Sequence, residues 1–171
     1  MMNLPDRFPG FEVLGDAAPY AARIRAVVHH NALFDDFNER DLTELGPYMA
    51  VYRAPPGSVI IREGDAGDFM LFVIDGMVDV TKTDRWGTVK RIAVSQGGQA
   101  LGEMSMIDGE ARFATCKAIE STVFAMLTRP RLQELITCEP RLAAKILMKL
   151  VYSLSQRLRQ SSSKLVNYLE K

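Results

Sequence analysis

The sequence predicts an α+β protein built on an antiparallel, jelly-roll-like β-roll, with N-terminal helices before the roll and one long helix after it. Two observations predict this class. Short apolar segments separated by glycine-containing turns fill the middle of the chain, a pattern typical of an antiparallel barrel or jelly roll. Residues 140–171 instead repeat apolar residues at the three- and four-residue spacing of a helix.

Composition bounds the size and class of the protein. The chain has 171 residues, 47% hydrophobic and 25% charged, which is typical of a globular protein with one main core. Lysine plus arginine equal aspartate plus glutamate at 21 each, so the chain lacks the basic excess of proteins that bind nucleic acid non-specifically. Neither a signal peptide nor a membrane-spanning run is visible, and we expect a cytoplasmic protein with no membrane contact.

We expect three regions along the chain. Residues 1–15, with several prolines and glycines, are predicted to be an irregular leader, 16–139 to form the N-terminal helices and the β-roll, and 140–171 the long helix. Helical spacing places the first helices at Ala17–Val28 and Glu39–Tyr48. Further elements are predicted at Ser58–Arg62, Phe69–Ile74, Met77–Lys82, Val89–Val94, Phe113–Ala118 and Thr122–Leu127 as strands and Arg129–Thr137 as a helix.

The long helix carries a heptad seam. Its members alternate four and three residues apart: Leu147, Val151, Leu154, Leu158, Ser161, Leu165 and Tyr168. The seam either packs against the roll of its own chain or pairs with a second helix. A helix of about thirty residues spans about 45 Å, more than a small roll covers, so we expect a homodimer through residues 140–171.

A glycine-rich segment, residues 97–118, interrupts the strand pattern. Gly102, followed by Glu103 and Met104, predicts a short helical turn whose first N–H groups lack partners and attract an anion. Arg112 follows nine residues after Glu103, close to a predicted strand. A guanidinium can hold two phosphate oxygens and a carboxylate can accept hydrogen bonds from a ribose, so the pair suits a sugar phosphate. An ordinary surface ion pair is the alternative.

These residues resemble the phosphate-binding cassette of the cyclic nucleotide-binding domain family, which includes catabolite activator proteins, protein kinase A regulatory subunits and cyclic nucleotide-gated channels. The family pattern is FGE, a short apolar helix, then PRAAT and a strand. Here it reads Leu101-Gly102-Glu103 and, without a gap in the spacing, Ala111-Arg112-Phe113-Ala114-Thr115. The resemblance covers roughly residues 27–168.

The resemblance implies a role for individual residues. Glu103 would bind the ribose 2′-hydroxyl and Arg112 the cyclic phosphate. Backbone amides would complete the cradle at Gly102, Met104, Phe113 and Ala114. The long helix would reach the base through Ser161 and Ser162, whereas an ungapped alignment places Arg157 there instead.

The implied function is that of a sensor that binds a cyclic mononucleotide and signals by repositioning its long helix. Phe113 stands where the family has a small residue, and its side chain either points out of the pocket or partly fills it. The threonine hydroxyl that cGMP-selective members use is missing, so cAMP is favoured over cGMP. The activator proteins continue into a DNA-binding domain, whereas this sequence ends at Lys171. We therefore expect no DNA binding and a separate, unidentified effector protein.

We expect neither an enzyme nor a metal or other cofactor. A cupin-type metalloenzyme shares the β-roll, but it needs clustered histidines, and the chain has only His29 and His30. Cys116 and Cys138 lack CxxC spacing and a neighbouring base, which argues against a zinc site, a disulfide framework and nucleophilic catalysis.

The main alternative is a degenerate β-roll that binds no nucleotide and serves as a dimerisation or docking module. The bulky Phe113 favours this alternative. The presence of both Glu103 and Arg112 opposes it, because two charges in a partly desolvated cleft without a ligand cost free energy.

Overall fold

A computed structural model of the chain describes residues 7–28 and 33–169, without the side chains of Lys164 and residues 167–169. In this part of the chain, strands form a five-stranded sheet in the order β1-β2-β9-β4-β7 and a four-stranded sheet in the order β3-β8-β5-β6, all antiparallel. The strands are β1 (Glu12–Asp16), β2 (Met49–Ala54), β3 (Val59–Ile61), β4 (Phe69–Asp75), β5 (Met77–Thr83), β6 (Val89–Gln96), β7 (Ala100–Leu101), β8 (Thr115–Ala118) and β9 (Thr122–Thr128). The helices are α1 (Ala21–Val27), α2 (Glu39–Leu45), α3 (Glu103–Asp108), α4 (Arg129–Cys138) and α5 (Pro140–Leu169).

The five-stranded sheet is the central layer of the molecule and is buried on both faces. In β4, Met70, Phe72 and Ile74 belong to the core that packs against the helices. Leu71 and Val73 alternate with them and belong to the core between the two sheets. Burial on both faces explains why β4 reads as a continuous apolar run rather than as an alternating strand.

The helices cover one face of the central sheet. Asn38 caps α2 through a capping box with Asp41, which fixes where that helix begins. Leu142, Ile146 and Leu150 of α5 lie fully in the core against this face. The first half of α5 is therefore part of the domain.

Ion pairs fix the same half of α5 to the N-terminal helices. The buried carboxylate of Asp41 lies 2.8 Å from both Arg141 Nη2 and Lys145 Nζ. One turn later, Lys149 pairs with Asp35. Because these three basic residues are spaced four apart, they share one side of α5.

The second half of α5 exposes its apolar seam. Leu147 packs partly against the chain's own core, whereas Val151, Leu158 and Leu165 are exposed, Leu158 by 68%. Packing against the chain's own roll thus applies to the first half of the helix, and pairing of the distal half with a second helix stays a prediction. The exposed half is free to contact another molecule.

The predicted fold class is confirmed, and the predicted strands and helices agree with the structure to within a few residues. The leader is the main correction: residues 12–15, predicted to be irregular, lie in β1, which pairs with β2 at the sheet edge. Phe8 is buried in the core between the sheets, and its ring lies 5.1 Å from Tyr52 and 5.7 Å from Phe124. Both features escaped prediction because β1 is a mostly exposed edge strand without a clear alternation.

Asp41 is expected to make folding stability depend on pH. Burial alone would raise the pKa of Asp41, but hydrogen bonds from Lys145 and Arg141 outweigh it and lower the pKa from 3.8 to about 2. A carboxyl whose folded-state pKa is depressed stabilises the fold above the unfolded pKa and loses this contribution as the pH falls. We expect Asp41 to account for a loss of about 2 kcal/mol in the free energy of unfolding between about pH 5 and pH 2.

Urea unfolding followed by circular dichroism at several pH values measures this loss. Asp41→Asn should be less stable at pH 7 and show a flatter pH dependence than the wild type. Glu120→Gln, which removes an exposed carboxylate, is the control and should keep the wild-type slope. Equal slopes for Asp41→Asn and wild type would contradict the assignment.

Candidate functional site

Arg112 is the centre of the candidate site. Its guanidinium lies beneath the short helix α3, where Nη1 donates to Gly102 O and Nη2 to Phe69 O, both at 2.7 Å. The guanidinium carbon also lies 4.3 Å from the centre of the Phe69 ring. Only 4% of the residue is exposed. The side chain is therefore held by the start of β4 and by the residue that precedes α3.

Two glycines leave room for this guanidinium. A Cβ on Gly67 would overlap the side-chain atoms of Arg112, and a Cβ on Gly102 would lie 2.8 Å from Arg112 Nη1. Gly102 also has a positive φ of 80°, a conformation that side chains disfavour. Glycine at both positions thus shapes the cavity around Arg112.

No carboxylate of the described residues is in direct contact with Arg112, although the charges of Glu103 and Asp65 act on it from a greater distance. Among the described residues, its side-chain hydrogen bonds go to backbone carbonyls, and no ion pair with an acid is formed. Desolvation by burial lowers the pKa of Arg112 below its ordinary value. Burying an unpaired charge is unfavourable, so an anion at this point would stabilise the protein.

α3 supplies a short turn of backbone amides beside Arg112. The helix is bounded by Gly102 and Gly109, both with positive φ. At its far end Arg129 donates from Nε to Met106 O and from Nη2 to Ser105 O, at 2.7 and 2.8 Å. These bonds fix the carbonyl end of α3, while the first amides of the helix have no partner within it.

Glu103, the first residue of α3, is buried and paired with the long helix. Only 2% of it is exposed, and its Oε1 accepts a hydrogen bond from Arg157 Nη1. Arg157 Nη2 also donates to Ala100 O at 3.2 Å. The carboxylate expected to bind a ribose is thus neutralised by α5, and of the two site charges only Arg112 lacks an opposite partner in the described structure.

The structure brings six of the predicted site residues together in one segment. These are Gly102, Glu103, Met104, Arg112, Phe113 and Ala114. Ser161 and Ser162 do not join them: both are exposed on α5, one turn beyond Arg157. Arg157, which an ungapped alignment placed at the base, lies against Glu103.

Phe113 does not fill the space around Arg112. Its ring is 55% exposed and lies 4.5 Å from Lys82 Nζ. Lys82 is itself bonded to Phe113 O at 2.8 Å and to Glu63 Oε1 at 2.6 Å. The ring is therefore directed outward and lies beneath a fixed ammonium group.

Sequence reasoning missed several residues that shape the site. Gly67 and Phe69 position Arg112, and Lys82 with Glu63 positions Phe113. Gly67 lies in a turn-rich segment, which gave a signal for a turn but not for contact with Arg112. The others are distant in sequence from the cassette, and only the fold brings them to it.

Other kinds of site find little support in the part of the chain that is described. No group of three or more potential metal ligands occurs there; His29 and His30 lie outside the described residues. Cys116 is buried, and desolvation raises the pKa of its thiol to about 12, which makes it unreactive at neutral pH. Within the same residues, no helix is both long and apolar enough to span a bilayer.

Comparison with known sequences gives a family match. Residues 52–137 match the family model described as the cyclic nucleotide-binding domain. The chain is 34% identical over 109 residues to the cAMP-dependent protein kinase regulatory subunit of Blastocladiella emersonii, an alignment that covers 63% of this chain and 27% of that protein. The chain thus spans about a quarter of this relative's length.

Comparison with solved structures agrees. A cyclic nucleotide-binding domain from Methylobacillus flagellatus KT superposes with a TM-score of 0.86 and 35% identity, covering 98% of this chain and 96% of that one. The Thermus thermophilus catabolite activator protein superposes with a TM-score of 0.72 and 29% identity, covering 80% and 62%. The first of these similarities extends over nearly the whole chain, including the long helix.

Proposed function

The chain belongs to the cyclic nucleotide-binding domain family, and we propose that it is a regulatory sensor that binds a cyclic mononucleotide at Arg112 and Glu103. The observation that carries this proposal is the buried guanidinium of Arg112, which has no carboxylate partner among the described residues and lies beside the free amides of α3. Members of the family are typically regulatory rather than catalytic, and we propose no reaction for this chain.

The charge of the site favours a ligand with a single phosphodiester. A guanidinium has five N–H donors, and the two described bonds of Arg112 use only two of them, so others can reach a phosphate. The neighbouring cations Arg7 and Lys82 are already paired with Asp68 and Glu63. The guanidinium of Arg112 is therefore the group that would bind the single phosphodiester of a 3′,5′-cyclic mononucleotide.

We propose that the ligand signals by competing with Arg157 for Glu103. A ribose 2′-hydroxyl that donates to Glu103 would compete with the Arg157 guanidinium, because both would bind the same buried carboxylate. Breaking this contact would release the distal half of α5 from the roll, while the ion pairs of Asp41 and Asp35 keep its first half in place. Ligand binding would then shift the position of the exposed seam.

We propose cAMP as the preferred ligand over cGMP. Phe113 offers no hydroxyl at the position where cGMP-selective members of the family use threonine. The similar Blastocladiella emersonii protein is named as a cAMP-dependent kinase regulatory subunit, which supports the same choice. A contact of the base with Ser161 and Ser162 remains a prediction and requires α5 to move.

The proposed cellular setting is a cytoplasmic homodimer that acts on a separate effector protein. Val151, Leu158 and Leu165 on the distal half of α5 form an exposed apolar seam that a second copy can cover. Both cysteines are free, which suits a reducing compartment. The effector would read the position of α5.

Replacing the central arginine tests the binding site. Arg112→Gln should weaken cAMP binding by about tenfold to a hundredfold or more, because it removes a charge-assisted hydrogen bond worth about 1.5–3 kcal/mol. Isothermal calorimetry with cAMP, cGMP and cyclic di-GMP measures the affinity for each compound and shows which of them binds most tightly. Arg62→Gln, an exposed arginine near the site, is the matched control and should bind as the wild type does. Binding of none of the three compounds to the wild type would favour the docking-module alternative.

Replacing the helix arginine tests the competition. Arg157→Gln should raise the affinity for cAMP by about tenfold, the change expected if a competing interaction of about 1.4 kcal/mol is lost. Without cAMP, the amide hydrogens of residues 151–166 should exchange faster in this variant than in the wild type. In the wild type, their exchange should become faster only after cAMP is added. Arg159→Gln, on the same helix, is the control. A lower affinity in Arg157→Gln would show that Arg157 assists binding and would rule out competition.

The exposed seam predicts the oligomeric state. Light scattering should give the wild type twice the chain mass of 19.1 kDa. Leu158→Lys should shift the mass toward that of a monomer, because it places a charge in the apolar seam without disturbing the core. Gln160→Lys adds the same charge off the seam and should leave the dimer intact. A monomeric wild type at all concentrations would refute the seam as a dimer interface.

A further inference from the structure

Phe113 differs from the other phenylalanines of this protein in the exposure of its side chain. Of its eight phenylalanines, Phe113 alone has an exposed side chain, and it directly follows the buried Arg112. The chain bends at Phe113 and Ala114 before it enters β8. The side chain of Arg112 is buried, whereas that of Phe113 is exposed. A single exposed apolar side chain is common on protein surfaces, but this one directly follows the buried Arg112 and is therefore placed to contact a ligand bound there.

A network of hydrogen bonds holds this ring in place. Lys82 Nζ donates to Phe113 O at 2.8 Å and to Glu63 Oε1 at 2.6 Å. Glu63 in turn accepts from Thr83 N at 2.9 Å through Oε2, and its own N–H donates to Thr115 Oγ1 at 3.0 Å. Strands β5 and β8 and the turn after β3 therefore fix the backbone at Phe113 and hold the Lys82 ammonium against its ring.

The contacts leave one face of the ring available. The Lys82 ammonium lies 4.5 Å from the ring centre and covers one face, which agrees with the exposure of about half of the residue. The charge of Lys82 is balanced by Glu63, so the surroundings of the ring add little net charge. A neutral, flat partner suits such a surface better than an ion does.

We propose that the side chain of Phe113 is the surface on which the base of the nucleotide stacks when its phosphate binds Arg112. Every nucleobase has a π-face, and stacking on an aromatic side chain is favourable for each of them. Phe113 would then raise the affinity for the base, while Arg112 and Glu103 bind the sugar phosphate. This inference rests on the proposed function and adds the base contact that the ligand-free position of Ser161 and Ser162 does not supply.

The test compares ligands with and without a base. Isothermal calorimetry with cAMP and with ribose 3′,5′-cyclic phosphate, which lacks the base, is carried out on wild type, Phe113→Ala and Ile136→Ala. Ile136 is an exposed apolar residue on α4 and serves as the control. Phe113→Ala should weaken cAMP binding about tenfold to a hundredfold and leave the base-free compound within about twofold of wild type.

A spectroscopic variant gives an independent readout. Phe113→Trp should retain cAMP affinity, and a stacked adenine should quench its fluorescence, whereas the wild type, whose one tryptophan is the exposed Trp86 at the tip of the β5–β6 turn, should show no quenching. Unchanged cAMP affinity in Phe113→Ala, or equal affinity of the wild type for both compounds, would overturn the stacking role while leaving the sugar-phosphate site in place. Higher affinity in Phe113→Ala would show that the ring obstructs the pocket. Failure of the wild type to bind either compound would overturn the proposed function together with this inference.

Discussion

The organisation of the site depends on one buried positive charge. Arg112 lies among backbone carbonyls and aromatic carbon rather than opposite an acid, and the surrounding residues are arranged to keep it there. Gly67 and Gly102 provide the space, and Phe69 provides both a carbonyl and a ring. Since no carboxylate of the described residues contacts this buried charge, its burial is unfavourable, and an anion bound beside it would offset that cost. Burial of Arg112 therefore lowers the stability of the fold and at the same time favours the binding of an anion.

The long helix is divided into two parts with different attachments. Its first half is held by core packing and by ion pairs to Asp35 and Asp41, and the distal half by a contact between Arg157 and the site. A segment with many buried contacts and a segment with few respond differently to a local change. The boundary near Leu150 is therefore the place at which movement of the distal half would begin. In the proposed function, this division would link the Glu103 contact to the exposed surface of the distal half.

The sequence was sufficient for the fold class and for the segment that carries the site. Short apolar segments between glycine-containing turns identified most strands, and the heptad pattern identified the long helix, because each is a local feature of the sequence. The pair Glu103 and Arg112 was identifiable because cassette residues are close together in the chain. Arg157, Lys82 and Phe69 were not assignable in the same way, since their contacts with the cassette span between 31 and 54 residues. Phe8 is buried by contacts with Tyr52 and Phe124, which are distant in sequence, so a local pattern does not predict its interior position.

The insertion of Phe8 has a consequence for what counts as the domain. The family match begins at residue 52, yet Phe8 lies between the sheets and contacts Phe69, whose ring also lies against Arg112. Arg7 lies over the same ring, so the start of the described chain is separated from Arg112 only by Phe69. A fragment limited to residues 52–137 would lose Phe8 and also the helices α1, α2 and α5, which cover one face of the central sheet. The hydrophobic core therefore includes residues on both sides of the stretch by which the family is recognised.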